Sequence, residues 1–247
     1  MTADIRAVIF DLGNTLLHFD GLRPDLIREA DQILLDHLRE EGLEIDGHMF
    51  LSQFREKLNH YYDERETEFI EYTTNYILRT ALEELGYKEL DEQVLAPALR
   101  AHYAVFQAHW KSEDDAEPTL SQLQQEGYRL GIVSNAADDD DVQTLVDNAG
   151  LRDYFDFVLS SAACRVRKPN PYIFHLALEK WGVLPKQVVM VGDTLGADIL
   201  GARNAGLHSI WLTRHADTPG NHDHLDTIKP DARAARLAEI PTLIKSL

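Results

Sequence analysis

AVIFDLGNTLL, residues Ala7 to Leu17, is a short apolar run that breaks into a polar turn. Ala7 to Phe10 carries β-branched members and is too short for a helix, so it fits a buried strand. Asp11 stands where the run stops, and Gly13 and Asn14 are turn formers. A carboxylate at the end of a buried strand costs free energy unless something uses it. Ligands of open α/β sheets bind outside the carboxyl ends of the strands. Two readings of Asp11 stand at this point: a reactive group at a sheet edge, or a cap on the turn.

Outward from this stretch the pattern changes. From about Arg23 to His109 the sequence is amphipathic and helical, with helices expected at Pro24 to Glu41, Gly47 to Asp63, Glu68 to Leu85 and Asp91 to His109. Gly42, the charged stretch Asp63 to Glu66, and Gly86 separate them, with Asp46 and Asp91 as expected caps. Phe69, Tyr72 and Tyr76 form an expected stripe on one helical face, read as core packing with a ligand-facing aromatic as the alternative. Such a block can pack as a small bundle of its own.

Lys111 to Pro118 is polar and reads as a linker. Beyond it, strands expected at Arg129 to Val133, Phe157 to Leu159, Val188 to Val191 and Ser209 to Leu212 alternate with helices at Thr119 to Gly127, Val142 to Ala149, Pro171 to Trp181 and Ala197 to Ala205. A short helix from Ile240 to Leu247 ends the chain. This alternation predicts an α/β fold with a parallel, Rossmann-like sheet covered on both faces. The first strand is cut off from the others by the helical block, so the block is an insertion and the sheet domain is discontinuous.

Composition sets further bounds. The 247 residues suffice for one large domain or a domain with a sizeable insertion. A formal net charge of −18 argues against a broad basic surface for nucleic acid or an anionic membrane. It leaves room for a small anionic substrate, because one metal or a few local cations reverse the field nearby. No apolar run approaches the length of a membrane span. The absence of a signal-peptide pattern and the single cysteine, Cys164, suit a reducing cytoplasm.

Each strong strand ends in polar groups: Asp11, then Ser134 with Asn135, then Asp193. Parallel strands would bring all of them to one sheet edge. Asp11, Asp193 and Asp198 make an acidic cluster that repels itself unless a cation is present. Oxygen ligands of this kind suit Mg²⁺, which completes its shell with water and substrate phosphate. Ser134 and Asn135 can hold anionic oxygens, and Lys168, just before Pro169, adds a positive charge. Carboxylate, metal, hydroxyl and lysine together suit phosphoryl transfer.

The order DLGNT from Asp11, SN at Ser134, RKPNP around Lys168 and GDTLGAD from Gly192 resembles the haloacid dehalogenase superfamily of hydrolases, in the form with a helical cap inserted after the first strand. The resemblance covers nearly the whole chain. It implies an α/β core of residues 1–19 and 112–247 and a cap of residues 20–111 that closes over the substrate. It implies that Asp11 is the nucleophile and forms an aspartyl-phosphate. Ser134 and Asn135 would hold the phosphoryl group, and Lys168 would neutralise both it and Asp11. Asp11, the Gly13 carbonyl and Asp193 would ligate Mg²⁺, with Asp198 in support. The expected function is Mg²⁺-dependent hydrolysis of a small phosphorylated metabolite. The alternatives are a 2-haloacid dehalogenase and a catalytically weak protein that binds phosphorylated ligands.

One departure stands out. Family phosphatases usually carry a second aspartate two residues after the nucleophile, as general acid and base; Gly13 is there instead. Dehalogenases of the family also lack that acid, but they do not keep the aspartate at Asp193, which favours the phosphatase. Asp20 and Arg23, at the entrance to the helical block, read as hinge or surface residues or as residues facing the substrate. The remaining features have plain readings. Gly192, Gly196 and Gly201 do not match a nucleotide-loop spacing. Asp138 to Asp141 reads as the start of a helix rather than a metal site. His215, His222 and His224 read as a solvated loop with zinc as the alternative, and Cys164 as a spectator thiol.

Overall fold

The computed structural model describes residues 4–21 and 23–247. The elements run β1 (Ala7–Phe10), β2 (Leu17–Phe19), α1 (Arg23–Glu40), α2 (Gly47–Glu68), α3 (Thr74–Glu84), α4 (Glu92–Gln107), β3 (Trp110–Ser112), α5 (Ala116–Gln125), β4 (Arg129–Ser134), α6 (Asp139–Asn148), β5 (Phe157–Ser160), α7 (Ser161–Cys164), α8 (Pro171–Trp181), β6 (Val188–Gly192), α9 (Leu200–Ala205), β7 (His208–Leu212), α10 (Pro219–His222), β8 (Ala232–Ala234) and α11 (Ile240–Ile244).

Six strands form one sheet in the order β5-β4-β1-β6-β7-β8, with every pair parallel. β1 is uniformly apolar because both of its faces are covered. Val8 and Phe10 pack with Leu130, Ile132, Val189, Val191 and residues of α5, α6 and α11. Ala7 and Ile9 face the other way, onto Val188, Met190 and residues of α8 and α9. Phe10 is in register with Ile132 of β4 and Val191 of β6, so the ends of three neighbouring strands deliver Asp11, Ser134 and Asp193 to one edge.

The helices α1 to α4 lie between β2 and β3 in the chain and share a core of their own, which includes Leu34, Leu38, Phe50, Phe54, Leu78, Leu82 and Leu95. Asp46 and Asp91 cap α2 and α4 by accepting the Met49 and Gln93 backbone N–H groups, as the sequence predicts. No described helix is long and apolar enough to cross a membrane.

Several expectations need correction. The charged stretch Asp63 to Glu66 does not break a helix; α2 runs through it to Glu68. The expected third helix starts late, at Thr74 behind its cap Thr73. Between them Phe69 turns left-handed, and the backbone at Ile70 forms an antiparallel bridge with Val166. Tertiary pairing therefore overrides helical periodicity here, and Phe69, Tyr72 and Tyr76 do not share one helical face, although Tyr72 packs against the core of the helical unit and stacks with Tyr76 at 5.6 Å. Phe69 and Tyr72 lie outside the helix, and Tyr76 is half exposed.

The expected linker is also ordered. β3 pairs antiparallel with β2 in a two-stranded ribbon, and Glu113 and Asp115 are buried. Too few residues on each strand carry an alternating pattern for this ribbon, or for β8, to be legible in sequence. The acidic run does open a helix, but three residues before the expected Val142: α6 starts at Asp139, and Asp138 caps it by accepting the Asp141 N–H. The helix expected from Ala197 opens earlier, with a wide turn over Leu195–Ile199.

Candidate active site

Asp11 is buried, and its Oδ1 accepts a hydrogen bond from the Lys168 ammonium at 2.6 Å. The same ammonium lies 2.7 Å from Asp198 Oδ1 and donates to the Val133 carbonyl at 2.7 Å. Burial by itself would lower the Lys168 pKa, but the charges of Asp11 and Asp198 outweigh it and the value ends raised. The loop that carries Lys168 is held by Asn135. The Asn135 side-chain carbonyl accepts the Lys168 N–H at 2.8 Å, and its amide donates to the Lys168 carbonyl at 3.0 Å. The Asn135 side chain thus links the end of β4 to this loop. Ser134 is buried, and its hydroxyl has no hydrogen-bond partner among the described residues.

Asp193 and Asp198 follow β6. The Thr194 N–H donates to Asp198 Oδ2 at 2.9 Å. The Asp193 carbonyl accepts from the Trp211 indole at 2.7 Å and the Asn221 amide at 2.9 Å, which fixes this turn. Carboxylate oxygens of Asp11, Asp193 and Asp198 lie within 4.8 Å of one another. Burial first, and then the neighbouring carboxylates, push Asp193 up to about 8; burial pushes Asp11 up to about 6 against the pull of Lys168. Three carboxylates against one ammonium leave an excess of negative charge that one divalent cation would neutralise. An all-oxygen donor set of this kind fits Mg²⁺.

All the residues expected from sequence, Asp11, Gly13, Ser134, Asn135, Lys168, Asp193 and Asp198, line one cavity of about 710 Å³. Arg65 and Phe69 from the helical unit, Trp110 of β3, Asp141, Arg167 and His224 also line it. Sequence reading missed Arg65 and Trp110, which nothing local marks; it named Phe69, Asp141 and His224 but favoured core packing, a helix start and a solvated loop for them over a place at the site. Arg167 lies inside the quoted RKPNP stretch, but its partner Glu71 carries no signal. Glu71 is fully buried and receives hydrogen bonds from Arg167, Tyr61 and Ser161. The main chain adds Arg167 N–H to Phe69 carbonyl at 3.0 Å and Glu71 N–H to Arg165 carbonyl at 3.2 Å. The helical unit is thereby joined to the residue before Lys168.

The remaining candidates fall elsewhere. Asp20 does not line the cavity; its exposed carboxylate pairs with Lys111. Nothing is described of the Arg23 side chain. Cys164 donates weakly to backbone carbonyls and burial pushes its thiol up, which fits a spectator. His215, His222 and His224 do not come together: His222 pairs with Asp217, His224 reaches the cavity, and His215 meets Glu113.

A model of the haloacid dehalogenase-like hydrolase family matches residues 5–206. The chain belongs to this family. Among its relatives in the family is a glyceraldehyde 3-phosphate phosphatase of Methanopyrus kandleri, 32% identical over 98% of both chains. A phosphoserine phosphatase of Thermus thermophilus is 32% identical over 66% of this chain and 62% of its own. Solved structures of the family with the same fold include a phosphatase from Thermococcus onnurineus, with TM-score 0.62 and 25% identity over 97% of this chain and 98% of that one. A 2-haloacid dehalogenase from Pseudomonas syringae aligns with TM-score 0.64 and 26% identity over the same shares, 97% and 98%. The hydrolase fold thus serves both chemistries, and the site has to decide between them.

Proposed function

We propose that this hydrolase is a phosphatase of small phosphorylated metabolites, acting through an aspartyl-phosphate on Asp11. The observation that carries the reading is the Lys168 ammonium bridging Asp11 and Asp198 at the floor of the cavity, with Asp193 beside them. A buried nucleophilic carboxylate held by a cation is suited to attack a phosphorus atom, and the names of the curated relatives point to the same reaction class. Family dehalogenases do not keep an aspartate at the position of Asp193, and its presence here favours the phosphatase.

In this reading residues 1–19 and 112–247 are the core and residues 20–111 are a cap over the cavity. The Asp11 carboxylate attacks phosphorus, the bond to the leaving alkoxide breaks, and an acyl phosphate forms. Water then attacks that phosphorus and returns Asp11 and inorganic phosphate. Lys168 offsets the charge of Asp11 and of the phosphoryl oxygens, and the unpaired Ser134 hydroxyl donates to one of those oxygens. Asn135 holds the Lys168 loop in place and offers its remaining donors to the phosphoryl group. Mg²⁺, held by Asp11, the Gly13 carbonyl and Asp193 with Asp198 in support, would supply further charge neutralisation. Arg65 and Arg167 add positive charge to the wall and suit an anionic substrate.

A panel of phosphate monoesters, scored by phosphate release with Mg²⁺ present, tests this reading. The expected result is release by the wild type, none by Asp11→Asn, and a borohydride-reducible acyl phosphate on Asp11. Release of halide from 2-haloacids without phosphatase activity would overturn it.

A further inference from the structure

His18, Glu113 and His215 form a second cluster, outside the cavity and built from three separate segments. His18 is on β2, Glu113 follows β3, and His215 is in the loop after β7. His18 Nδ1 lies 3.0 Å from Glu113 Oε1, and His215 Nε2 lies 2.7 Å from the same oxygen. The two imidazoles stack with centroids 5.7 Å apart and planes 26° apart. The three donor atoms all fall within 4.8 Å of one another.

We propose that His18 Nδ1, His215 Nε2 and Glu113 Oε1 bind a Zn²⁺ ion that pins the β2–β3 ribbon to the sheet. Two imidazole nitrogens and a carboxylate oxygen are a zinc-type donor set, whereas the Asp11 cluster is all oxygen. Glu113 is buried to 3% exposure, and its other oxygen, Oε2, faces Arg214 Nη1 at 2.6 Å. Arg214 is in turn held by Asp114 at 2.9 Å. An outer partner that orients a ligating carboxylate in this way is a regular feature of metal sites. His18 Nδ1 is buried and close to Glu113 without the alignment of a hydrogen bond, so among the described residues that nitrogen has no hydrogen-bond partner.

Size agrees with this assignment. Ligand atoms about 2.0–2.1 Å from a tetrahedral zinc are about 3.3 Å from each other. The observed separations of 3.0 and 2.7 Å need the rings to back off by a few tenths of an ångström. Both side chains are about one-third exposed, so part of each ring faces solvent rather than packed neighbours. Three protein ligands leave one position for water. The ribbon fixed in this way carries Trp110, which reaches the Gly13 turn.

The test uses the full chain with excess Mg²⁺ present, so that the Asp11 cluster is already served. Titration with Co²⁺ should give one equivalent of a tetrahedral visible spectrum, which Zn²⁺ bleaches by displacement. Zn²⁺ should also raise the thermal midpoint. His18→Ala and His215→Ala should each weaken binding by at least about tenfold, since outer partners alone are worth about 10- to 100-fold. His222→Ala and Asp193→Ala should leave it unchanged. Should either alanine variant fail the circular dichroism check for folding, His18→Gln and His215→Asn take their place. No cobalt spectrum in the wild type, or binding that survives loss of both histidines, would overturn the proposal.

Discussion

The indole of Trp110 packs closely over Gly13: a Cβ built on Gly13 would lie 3.2 Å from Trp110 Cη2, closer than an ordinary van der Waals contact. The Gly13 backbone is not in the left-handed region, so conformation does not demand glycine there. The turn needs a positive φ at Asn14 instead, where φ is 57°. Any side chain at 13 therefore needs the indole of Trp110, 97 positions later in the chain, to give by a few tenths of an ångström. On the proposed mechanism, glycine here leaves no side chain at this position to protonate a leaving group.

Restoring that acid should be costly while Trp110 stays. Gly13→Asp is expected to destabilise the fold by about 1–3 kcal/mol through overpacking. Trp110→Ala should relieve most of this, giving strongly non-additive free energies in a double-mutant cycle followed by denaturant unfolding. Additive penalties would show that the indole is not the obstacle.

With no acid–base group at 13, water attack on the acyl phosphate should lag. Such a group contributes about 10²- to 10⁴-fold. An aryl phosphate, whose leaving group needs little protonation, should therefore show a pre-steady-state burst. Asp20→Ala should leave turnover nearly unchanged, because Asp20 is exposed, paired with Lys111 and outside the cavity. A burst-free wild type together with a crippled Asp20→Ala would mean that Asp20 supplies the missing function.

Asp11→Asn removes a carboxylate whose burial is unfavourable and leaves Lys168 paired with Asp198. Turnover should fall by about 10⁴-fold or more, the scale seen when a nucleophile is lost. Stability should hold or rise. Lys168→Met should lose both, with a drop of about 3–5 kcal/mol, because two buried carboxylates lose their cation. Thermal midpoints of the two variants moving together would contradict this account.

Glu71 and Arg167 join the helical unit to the sheet through a buried ion pair. Glu71→Gln should destabilise the protein by about 3–5 kcal/mol by leaving the guanidinium uncompensated. Limited proteolysis should then cut first in the segment 69–73. A stability change below about 1 kcal/mol would mean that the backbone pairing alone holds the units together.

Asp141 lies in the cavity wall with its carboxyl pushed up to about 7, mainly by burial, against the Gln107 amide that donates to it at 2.8 Å. The unfolded value is near 3.9. Between these values the folded state keeps a proton that the unfolded state has lost. Stability therefore falls as pH rises from about 4 to about 7 and levels off above. Asp141→Asn removes this titration at nearly constant volume. Its advantage should be absent near pH 4 and grow to at most roughly 4 kcal/mol above pH 7, less where solvent reaches the cavity mouth. Parallel melting-temperature profiles for the two proteins would refute the assignment.

Chelation should stop hydrolysis and Mg²⁺ should restore it. Ca²⁺ should restore it poorly, since its larger and looser shell tolerates geometries that misplace an in-line attack. Full phosphatase activity in excess chelator would rule out the metal.

The sequence by itself determined the sheet and its polar edge. Uniformly apolar runs such as Ala7–Phe10 and Val188–Val191 can only be buried on both faces, and a parallel sheet sends the ends of its strands to one side. Asp11, Ser134 and Asp193 were legible for that reason. The caps Asp46 and Asp91 were legible because capping is decided within a few residues. Tertiary structure alone decided the rest. The bridge at Ile70 broke a helix that local periodicity favours, and it put Glu71 against Arg167 across 96 residues of chain. The ribbon of β2 and β3 set Trp110 on Gly13 and His18 beside His215. These contacts join residues far apart in sequence whose own neighbours give no hint of a partner. Only packing chooses them.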